Sequence, residues 1–464
     1  MIHPHRCCVI LLICWLTGFS QAYELHAQSE PKARNSLIRA YQELIEQSEF
    51  DNAEDVDELH QILLESDELL TRIKQSNAKA IKNVNRRPPR LATMPNVVLI
   101  LVDNLSCQQL GCYGSESGKT PAIDQLAASG LQFSQFLSGS PLDQDAFWCL
   151  MTGRHAGEIS RDKEGEPVLS FTKLTLSSHL WHAGYETGFF GNWPLPNTDP
   201  LECYCDLFVG WTDNSHPSIA YPKSINVNGR IQEWNQTEEA SINAWSLTTA
   251  QALAALERRD SQRPFGWILR YHALNFPEVT SEIEMLDAEI SRLLNRLDHL
   301  ALREHTMIWL LGETSTTTPE RNDVDETVNS LKNIHMVVPS IINGPRAFPG
   351  KHEASVLTGA WDVTATLTSI VRDRRYYRGT LGHSLAGTRF SNKSLDERVL
   401  YWSVPTATGD AVQAARWRTW KGVIRPGDPN IQLFDLKNDP REVTNVAQDH
   451  PEVLKKLIQQ KPGR

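Results

Sequence analysis

The chain has 464 residues, of which 40% are hydrophobic and 22% are charged, as in an ordinary globular protein. This length exceeds that of one average domain, so a large domain with extensions is expected. The formal net charge of -10 argues against a nucleic-acid-binding protein, which would need a basic surface.

The first residues have the pattern of a secretory signal peptide. A basic segment, Met1–Arg6, precedes an apolar segment, Cys7–Phe19, that is too short to span a bilayer comfortably. Small residues suited to cleavage follow at Ser20–Ala22, and Ala27 is a second candidate. We therefore expect residues 1–22 to be removed and the mature protein to be exported, either periplasmic or secreted, with no stable membrane span. An uncleaved anchor is the alternative.

Residues 23–94 predict a helical extension followed by a linker. Apolar residues recur at helical spacing within Asn35–Gln47 and again within Val56–Ile73. Arg86–Pro89 then ends the second helix, because proline cannot continue it. The two helices predict a hairpin that either docks on the main domain or assembles oligomers through a short coiled coil.

From Asn96 the pattern changes to alternating strands and helices. Helices are predicted from Pro121 to Gly130 and, amphipathic, from Ile283 to Leu297. Continuous apolar runs, typical of buried parallel strands, predict strands at Val97–Val102, Glu186–Phe190, Gly266–Tyr271, Met307–Leu311 and Val337–Ile342. The alternation predicts an α/β domain over residues 95–391, with a mostly parallel central sheet and helices on both faces. Residues 392–464 predict a small C-terminal α+β subdomain.

Polar side chains follow two of the predicted strands. Asp103–Asn104 comes after the first strand, and Glu313–Thr314 comes after the strand at Met307–Leu311. Either pair alone is typical of a turn or a helix cap. Because ligands gather at the carboxyl ends of parallel strands, the two pairs together predict a cation site.

Four segments in order carry a resemblance to a known family. They are LVDNLSCQQLGCYG (101–114), KTPAIDQLAASGLQF (119–133), HTMIWLLGETS (305–315) and LFDLKNDPREVTNVA (433–447). Together they resemble the sulfatases of the alkaline-phosphatase-like superfamily, over about residues 95–448. In that family a Cys or Ser in the motif C-x-P-S-R matures to formylglycine, the nucleophile, and Thr-Gly-Arg follows. The resemblance implies a sulfuric ester hydrolase fold.

The family holds one divalent cation, commonly calcium, with two Asp, the formylglycine and an Asp-Asn pair. The matching positions in this chain are Asp103, Asn104, Asp143, Glu313 and Thr314. Carboxylate and amide oxygens suit hard cations, so the resemblance implies calcium or magnesium here. Glu313 is longer than Asp, however, and Thr314 offers a weaker oxygen than Asn.

The catalytic positions of the family are replaced. Counting back from Thr152–Arg154 places Asp143 at the nucleophile position, and a carboxylate cannot become formylglycine. Uncharged residues stand at four positions where the family has a cationic group, namely Phe147, Asn192, Pro194 and Asn275. Because cationic groups stabilise the charge that develops in the transition state, these changes predict a catalytically degenerate site.

Other groups are candidates for a replacement nucleophile. Cys149 lacks the Pro and Arg of the maturation motif, and Ser138 or Ser140 could serve only if the alignment shifts. Asp143 itself could attack as a carboxylate, but we expect it to be a metal ligand. His272 is expected to be structural, as a single His at a strand end usually is.

Three functions are compatible with these patterns. The preferred one is an exported sulfatase-family pseudoenzyme that keeps the fold, a cation site and a cleft for sulfated or other acidic glycans. The first alternative is an active sulfate- or phosphate-ester hydrolase with a rebuilt site. The second is a complex-forming scaffold that binds a partner through the helical hairpin. No nucleic-acid partner is expected, and the sequence does not predict the oligomeric state.

Overall fold

The structure is a computed structural model, and the part described here is residues 94–459. Within that range it leaves out residues 117–118, 164, 170–174, 196, 213–220, 234–242, 273–278, 316–323, 345–351, 372–381, 387–394, 396, 407–409 and 429. The predicted signal peptide and helical hairpin therefore lie outside the described residues.

The strands belong to one large sheet, one small sheet and two short pairs. In chain order they are β1 (Asn96–Val102), β2 (Leu131–Phe133), β3 (Phe136–Leu137), β4 (Ser160–Arg161), β5 (Pro167–Val168), β6 (Glu186–Asn192), β7 (Leu207–Trp211), β8 (Ser224–Val227), β9 (Arg230–Glu233), β10 (Phe265–Tyr271), β11 (Thr306–Gly312), β12 (Ser340–Asn343), β13 (His352–Ala354), β14 (Thr358–Gly359), β15 (Leu400–Pro405), β16 (Ala411–Trp417), β17 (Trp420–Ile424) and β18 (Gln432–Asp435).

The α-helices of the described residues pack mainly on the two faces of the large sheet. They are α1 (Pro121–Ala128), α2 (Asp143–Thr152), α3 (Leu176–His182), α4 (Ala244–Arg258), α5 (Val279–His299), α6 (Val324–Ser330), α7 (Asn333–Met336), α8 (Trp361–Ile370) and α9 (Pro451–Gln459). None of the helices in the described ranges is both long enough and apolar enough to cross a membrane.

The large sheet has ten strands in the order β13-β2-β12-β11-β1-β10-β6-β7-β8-β9. Its centre is parallel, because β1 pairs in parallel with β10 and β11, β10 with β6, and β6 with β7. The carboxyl ends of these five strands therefore meet at one edge of the sheet. This edge is where open parallel sheets hold their ligands.

The position of β1 between two cores explains why its sequence is apolar from Val97 to Val102. Val97, Leu99 and Leu101 face a core that includes α2, α3 and α8. The residues between them, such as Val98 and Ile100, face a second core on the other side of the sheet, which includes α1, α4 and α5. Side chains of a strand alternate between the two faces, so a strand covered on both faces is apolar at every position.

The predicted fold class is confirmed. The mostly parallel sheet, the helices on both of its faces and a small antiparallel sheet, β15-β16-β17-β18, near the C-terminus are all present. The strand predicted at Val337–Ile342 begins later, at Ser340, because Pro339 has no N–H for a ladder hydrogen bond. The boundaries proposed between domains stay predictions.

Helix α1 receives its N-terminal cap from another helix. The side chain of Thr120 accepts no capping hydrogen bond, whereas the Asp287 carboxylate on α5 accepts the backbone N–H groups of Ala122 and Ile123, at 3.1 and 2.9 Å. The first N–H groups of a helix have no partner within the helix. Asp287 therefore satisfies two of them and joins α1 to α5.

Replacing Asp287 with alanine is expected to lower the free energy of unfolding by about 1–2 kcal/mol, as loss of a helix cap does. Urea denaturation followed by tryptophan fluorescence would measure the change. Glu284→Ala is the matched control, because Glu284 is an exposed acidic residue on the same helix. Equal effects of the two substitutions would contradict the capping role.

Candidate active site

Five elements deliver polar side chains to one point at the carboxyl edge of the large sheet. Asp103 follows β1, Arg270 lies near the end of β10, and Glu313 follows β11. Asn192 is the last residue of β6, and Asp143 is the first residue of α2. We call these five residues the Arg270 cluster. The strand order β11-β1-β10-β6 makes residues distant in sequence neighbours here.

The guanidinium of Arg270 is the centre of this cluster, and its side chain is 0% exposed. Its Nε donates to Oε2 of Glu313 at 2.7 Å, and its Nη1 donates to Oδ1 of Asn192 at 2.8 Å. Its Nη2 donates to Oδ1 of Asp143. The guanidinium carbon also lies 5.6 Å from the ring centroid of Phe147, a cation–π contact. Arg270 therefore joins three elements by charge-assisted hydrogen bonds.

Asp103 is held on the other side of the cluster. The Thr314 hydroxyl donates to Oδ1 of Asp103 at 2.7 Å and accepts the backbone N–H of Asn104 at 3.1 Å. Asn104 has a φ of 54°, in the left-handed region that Asn tolerates better than most residues. Nδ1 of His272 lies 3.5 Å from Oδ2 of Asp103.

The three carboxylates have different proton affinities. Burial raises the pKa of Glu313 to about 8, because the charge of Arg270 only partly offsets the loss of solvation and the charge of Asp143 adds to it. Burial also raises the pKa of Asp143, to about 6, against the lowering effect of Arg270. Burial acts in the same direction on Asp103, but the nearby His272 and the charge of Arg270 prevail and lower its pKa to about 2.

Glu313 is the least satisfied member of the Arg270 cluster. Its Oε1 is buried and has no hydrogen-bond partner among the described residues, although Oε2 receives Nε of Arg270. Three carboxylates surround one guanidinium, so full ionisation would leave uncompensated negative charge in a buried place. A neutral Glu313 reduces that charge, which agrees with the direction of its pKa.

Cys149, Ser138 and Ser140, the alternative nucleophiles, are buried. Burial raises the pKa of Cys149 well above its usual value, and its Sγ lies 3.7 Å from the carbonyl oxygen of Gly139. The Ser138 hydroxyl donates to backbone carbonyl oxygens, including that of Glu313. Oγ of Ser140 accepts the backbone N–H of Leu142 at 3.2 Å. These contacts are those of structural side chains.

Comparison with known proteins relates this chain to a protein family. The family model described as "Sulfatase" matches residues 95–265. N-acetylgalactosamine-6-O-sulfatase of Bacteroides thetaiotaomicron is 21% identical over 472 aligned residues, covering 78% of this chain and 91% of that protein. Human arylsulfatase D is 29% identical over 181 residues, covering 34% of this chain but only 30% of its own length.

A solved structure has the same fold. BT4656 in complex with its substrate D-Glucosamine-2-N, 6-O-disulfate superposes with a TM-score of 0.64 at 16% identity, covering 79% of this chain and 96% of that one. The family model, the relatives and this solved structure together support a sulfatase-family member. Its fold is therefore the alkaline-phosphatase-like fold that the four sequence segments implied.

Two of the four positions that the resemblance matches to cationic residues of the family, Phe147 and Pro194, are buried in this structure. Phe147 is 0% exposed and makes edge-to-face contacts with Phe189 and Trp193, with ring centroids 6.0 and 5.1 Å apart. Pro194 is also buried, and Asn192 is bonded to Arg270. Asn275 lies outside the described residues. Phe147 thus contributes apolar contacts at the position that the resemblance matches to an arginine of the family.

The five predicted metal ligands do not fit a divalent cation as they stand. Arg270 occupies one oxygen each of Asp143 and Glu313, and the Thr314 hydroxyl donates to Asp103 and accepts the backbone N–H of Asn104. A smaller set remains, because Asp103, Asp143 and His272 each offer one atom and these atoms lie within 4.8 Å of one another. That triad is compatible with a metal ion, but it does not identify one.

Sequence reasoning missed Arg270 and discounted His272. The sequence did contain a signal for Arg270. It is a charged residue within FGWILRY, an otherwise apolar strand that is buried on both faces. Such a residue is almost never buried without a partner. Arg270 and His272 are two positions apart, so they emerge on the same face of the chain.

Proposed function

We propose that this protein does not hydrolyse sulfate esters and that it uses the sulfatase fold to bind a ligand. The observation that supports this most directly is the ion pair between Asp143, at the nucleophile position, and the buried Arg270. A carboxylate held in this way is already neutralised by its neighbour. It therefore has less tendency to attack sulfur than a free nucleophile would have.

The residues around Asp143 support the same conclusion. Sulfate transfer needs cationic donors that stabilise the developing negative charge, and removal of one such donor typically costs a factor of about 100 or more in rate. Phe147 and Pro194 offer no such donor, and Arg270 is committed to carboxylates. The Arg270 cluster also has more carboxylates than cations, so it would repel a sulfate group.

The names of the relatives suggest the class of ligand. One relative is an N-acetylgalactosamine-6-O-sulfatase, and one structural neighbour holds D-Glucosamine-2-N, 6-O-disulfate. We extend this class to the present chain as a sulfated or otherwise acidic glycan, bound by residues other than the Arg270 cluster. Export through the segment at residues 1–22 would bring the protein to such glycans, and the helical hairpin is the part proposed to bind a protein partner.

The purified protein is expected to release no fluorophore from 4-methylumbelliferyl sulfate above the rate of a heat-denatured sample. Isothermal titration with heparin and with chondroitin sulfate measures ligand binding independently, and heat of binding is expected for at least one of them. Turnover that is lost in Asp143→Ala but kept in Glu284→Ala would instead establish an active hydrolase with a rebuilt site. If neither glycan binds, the proposed ligand class is wrong, but the proposed absence of sulfate-ester hydrolysis is unaffected.

A further inference from the structure

We propose that Arg270 takes the place of the divalent cation in this sulfatase fold, so that the carboxylates are held together without a metal ion. The five positions that correspond to the family's metal ligands contain three carboxylates, and two of these, Asp143 and Glu313, bind the guanidinium directly. The proposal concerns how the site is stabilised. It does not depend on whether the protein turns over sulfate esters.

The geometry of the guanidinium supports this assignment. Its nitrogen atoms donate in one plane toward Glu313, Asn192 and Asp143, which approach from three different elements. A metal ion would collect the same oxygen atoms around one centre. Because an arginine presents several donors in a fixed fork and keeps its charge at all physiological pH values, it can hold carboxylates together as an ion does.

The neighbours of Arg270 support it as well. Phe147 presents its ring face to the guanidinium at 5.6 Å, at a position where the family has an arginine. The cationic group beside this ring is therefore supplied by strand β10 and not by helix α2. The side chain of Arg270 is 0% exposed, so the charge is placed among the carboxylates and is not shared with solvent.

A divalent ion on Asp103, Asp143 and His272 is the competing arrangement. It would share Asp143 with Arg270 and would place two positive centres on the same carboxylate. It would also have to compete with the Thr314 hydroxyl for Asp103. These contacts favour the arrangement without a metal ion, and the following experiment distinguishes the two.

The first measurement uses the full mature chain. After purification without chelator, elemental analysis is expected to find no calcium, magnesium, manganese or zinc in stoichiometric amount. The melting temperature is expected to be the same in EDTA as in each of these ions, because a ligand that binds only the folded state would raise it by mass action. A bound ion, or a rise in melting temperature that His272→Ala abolishes, would overturn the proposal in favour of the triad.

The second measurement removes the guanidinium. Arg270→Ala leaves Asp103, Asp143 and Glu313 around an open space. Added calcium or manganese is therefore expected to raise the melting temperature of this variant. Arg270→Lys is the matched control, which keeps a positive charge and is expected to show no such rise. If Arg270→Ala does not fold, Arg270→Ala combined with Glu313→Gln removes one buried charge while keeping an oxygen at that position. No gain of cation response in a folded variant would contradict the proposal.

Discussion

Arg270→Met is expected to lower the free energy of unfolding by about 3–5 kcal/mol, the range found when one partner of a buried ion pair is removed. Methionine fills much of the space but cannot donate a hydrogen bond. Asp143 and Glu313 would lose their shared hydrogen-bond donor. Urea denaturation in the presence of EDTA measures the effect without interference from added cations.

Arg154→Met is the matched control for this prediction. Arg154 pairs with Glu158 at 2.6 Å, but the two side chains are 33% and 36% exposed, so solvent screens the pair. Exposed pairs contribute up to about 1 kcal/mol, and the control should therefore change stability little. If Arg270→Met and Arg154→Met had similar effects, Arg270 could not be the centre that holds the cluster together. Adding Glu313→Gln to Arg270→Met should recover part of the loss, because the two residues are in contact.

The wild-type protein is expected to lose stability as the pH rises from about 5 to about 8. The pKa of Glu313 is raised from its usual 4.5 to about 8 by burial, with Arg270 opposing and Asp143 and Asp103 adding to the shift. Between these values the folded state keeps a proton that the unfolded state has released. The free energy of unfolding then falls by up to about 1.4 kcal/mol per pH unit for each such proton.

Asp143 contributes in the same direction in the lower part of this range, because its pKa is raised to about 6 by burial. Asp103 acts in the opposite direction, but its pKa is lowered, so its contribution is lost only as the pH falls toward about 2. Denaturation curves at several pH values test the slope. Glu313→Gln should flatten it and Glu284→Gln, an exposed change, should not; a slope that survives in Glu313→Gln would show that another group is responsible.

The sequence predicted the fold because the relevant signals are local. A strand covered on both faces is apolar at nearly every position, and β1 and β11 have this pattern after their first residues, Asn96 and Thr306. Helix α5 places its apolar residues at helical spacing, and the ends of α1 are set by Pro121 and Gly130. Each of these features depends on residues within about one helix or strand length. The family motifs are also short segments, so they too can be recognised from residues that are close together in the chain.

The sequence also named most of the residues at the carboxyl edge of the sheet. Asp103, Asp143 and Glu313 were predicted to lie near one another, and they share the partner Arg270 or its close surroundings. The prediction was possible because each residue follows a strand or begins a helix at a family position. Their role as metal ligands stays a prediction, against which the contacts of Arg270 argue.

By itself, the sequence determined the α/β architecture. It also predicted that Asp143 stands at the family's nucleophile position and that Phe147 and Pro194 stand at cationic positions of the family. Only the tertiary structure decided what neutralises the carboxylates, because Arg270 is 127 residues from Asp143 and 78 from Asn192 in the chain. The order of the strands brings these residues together, and no local pattern encodes that order. A charged residue in an otherwise apolar, buried strand indicates that a partner exists, but the partner is identified only when the neighbouring strands are in place.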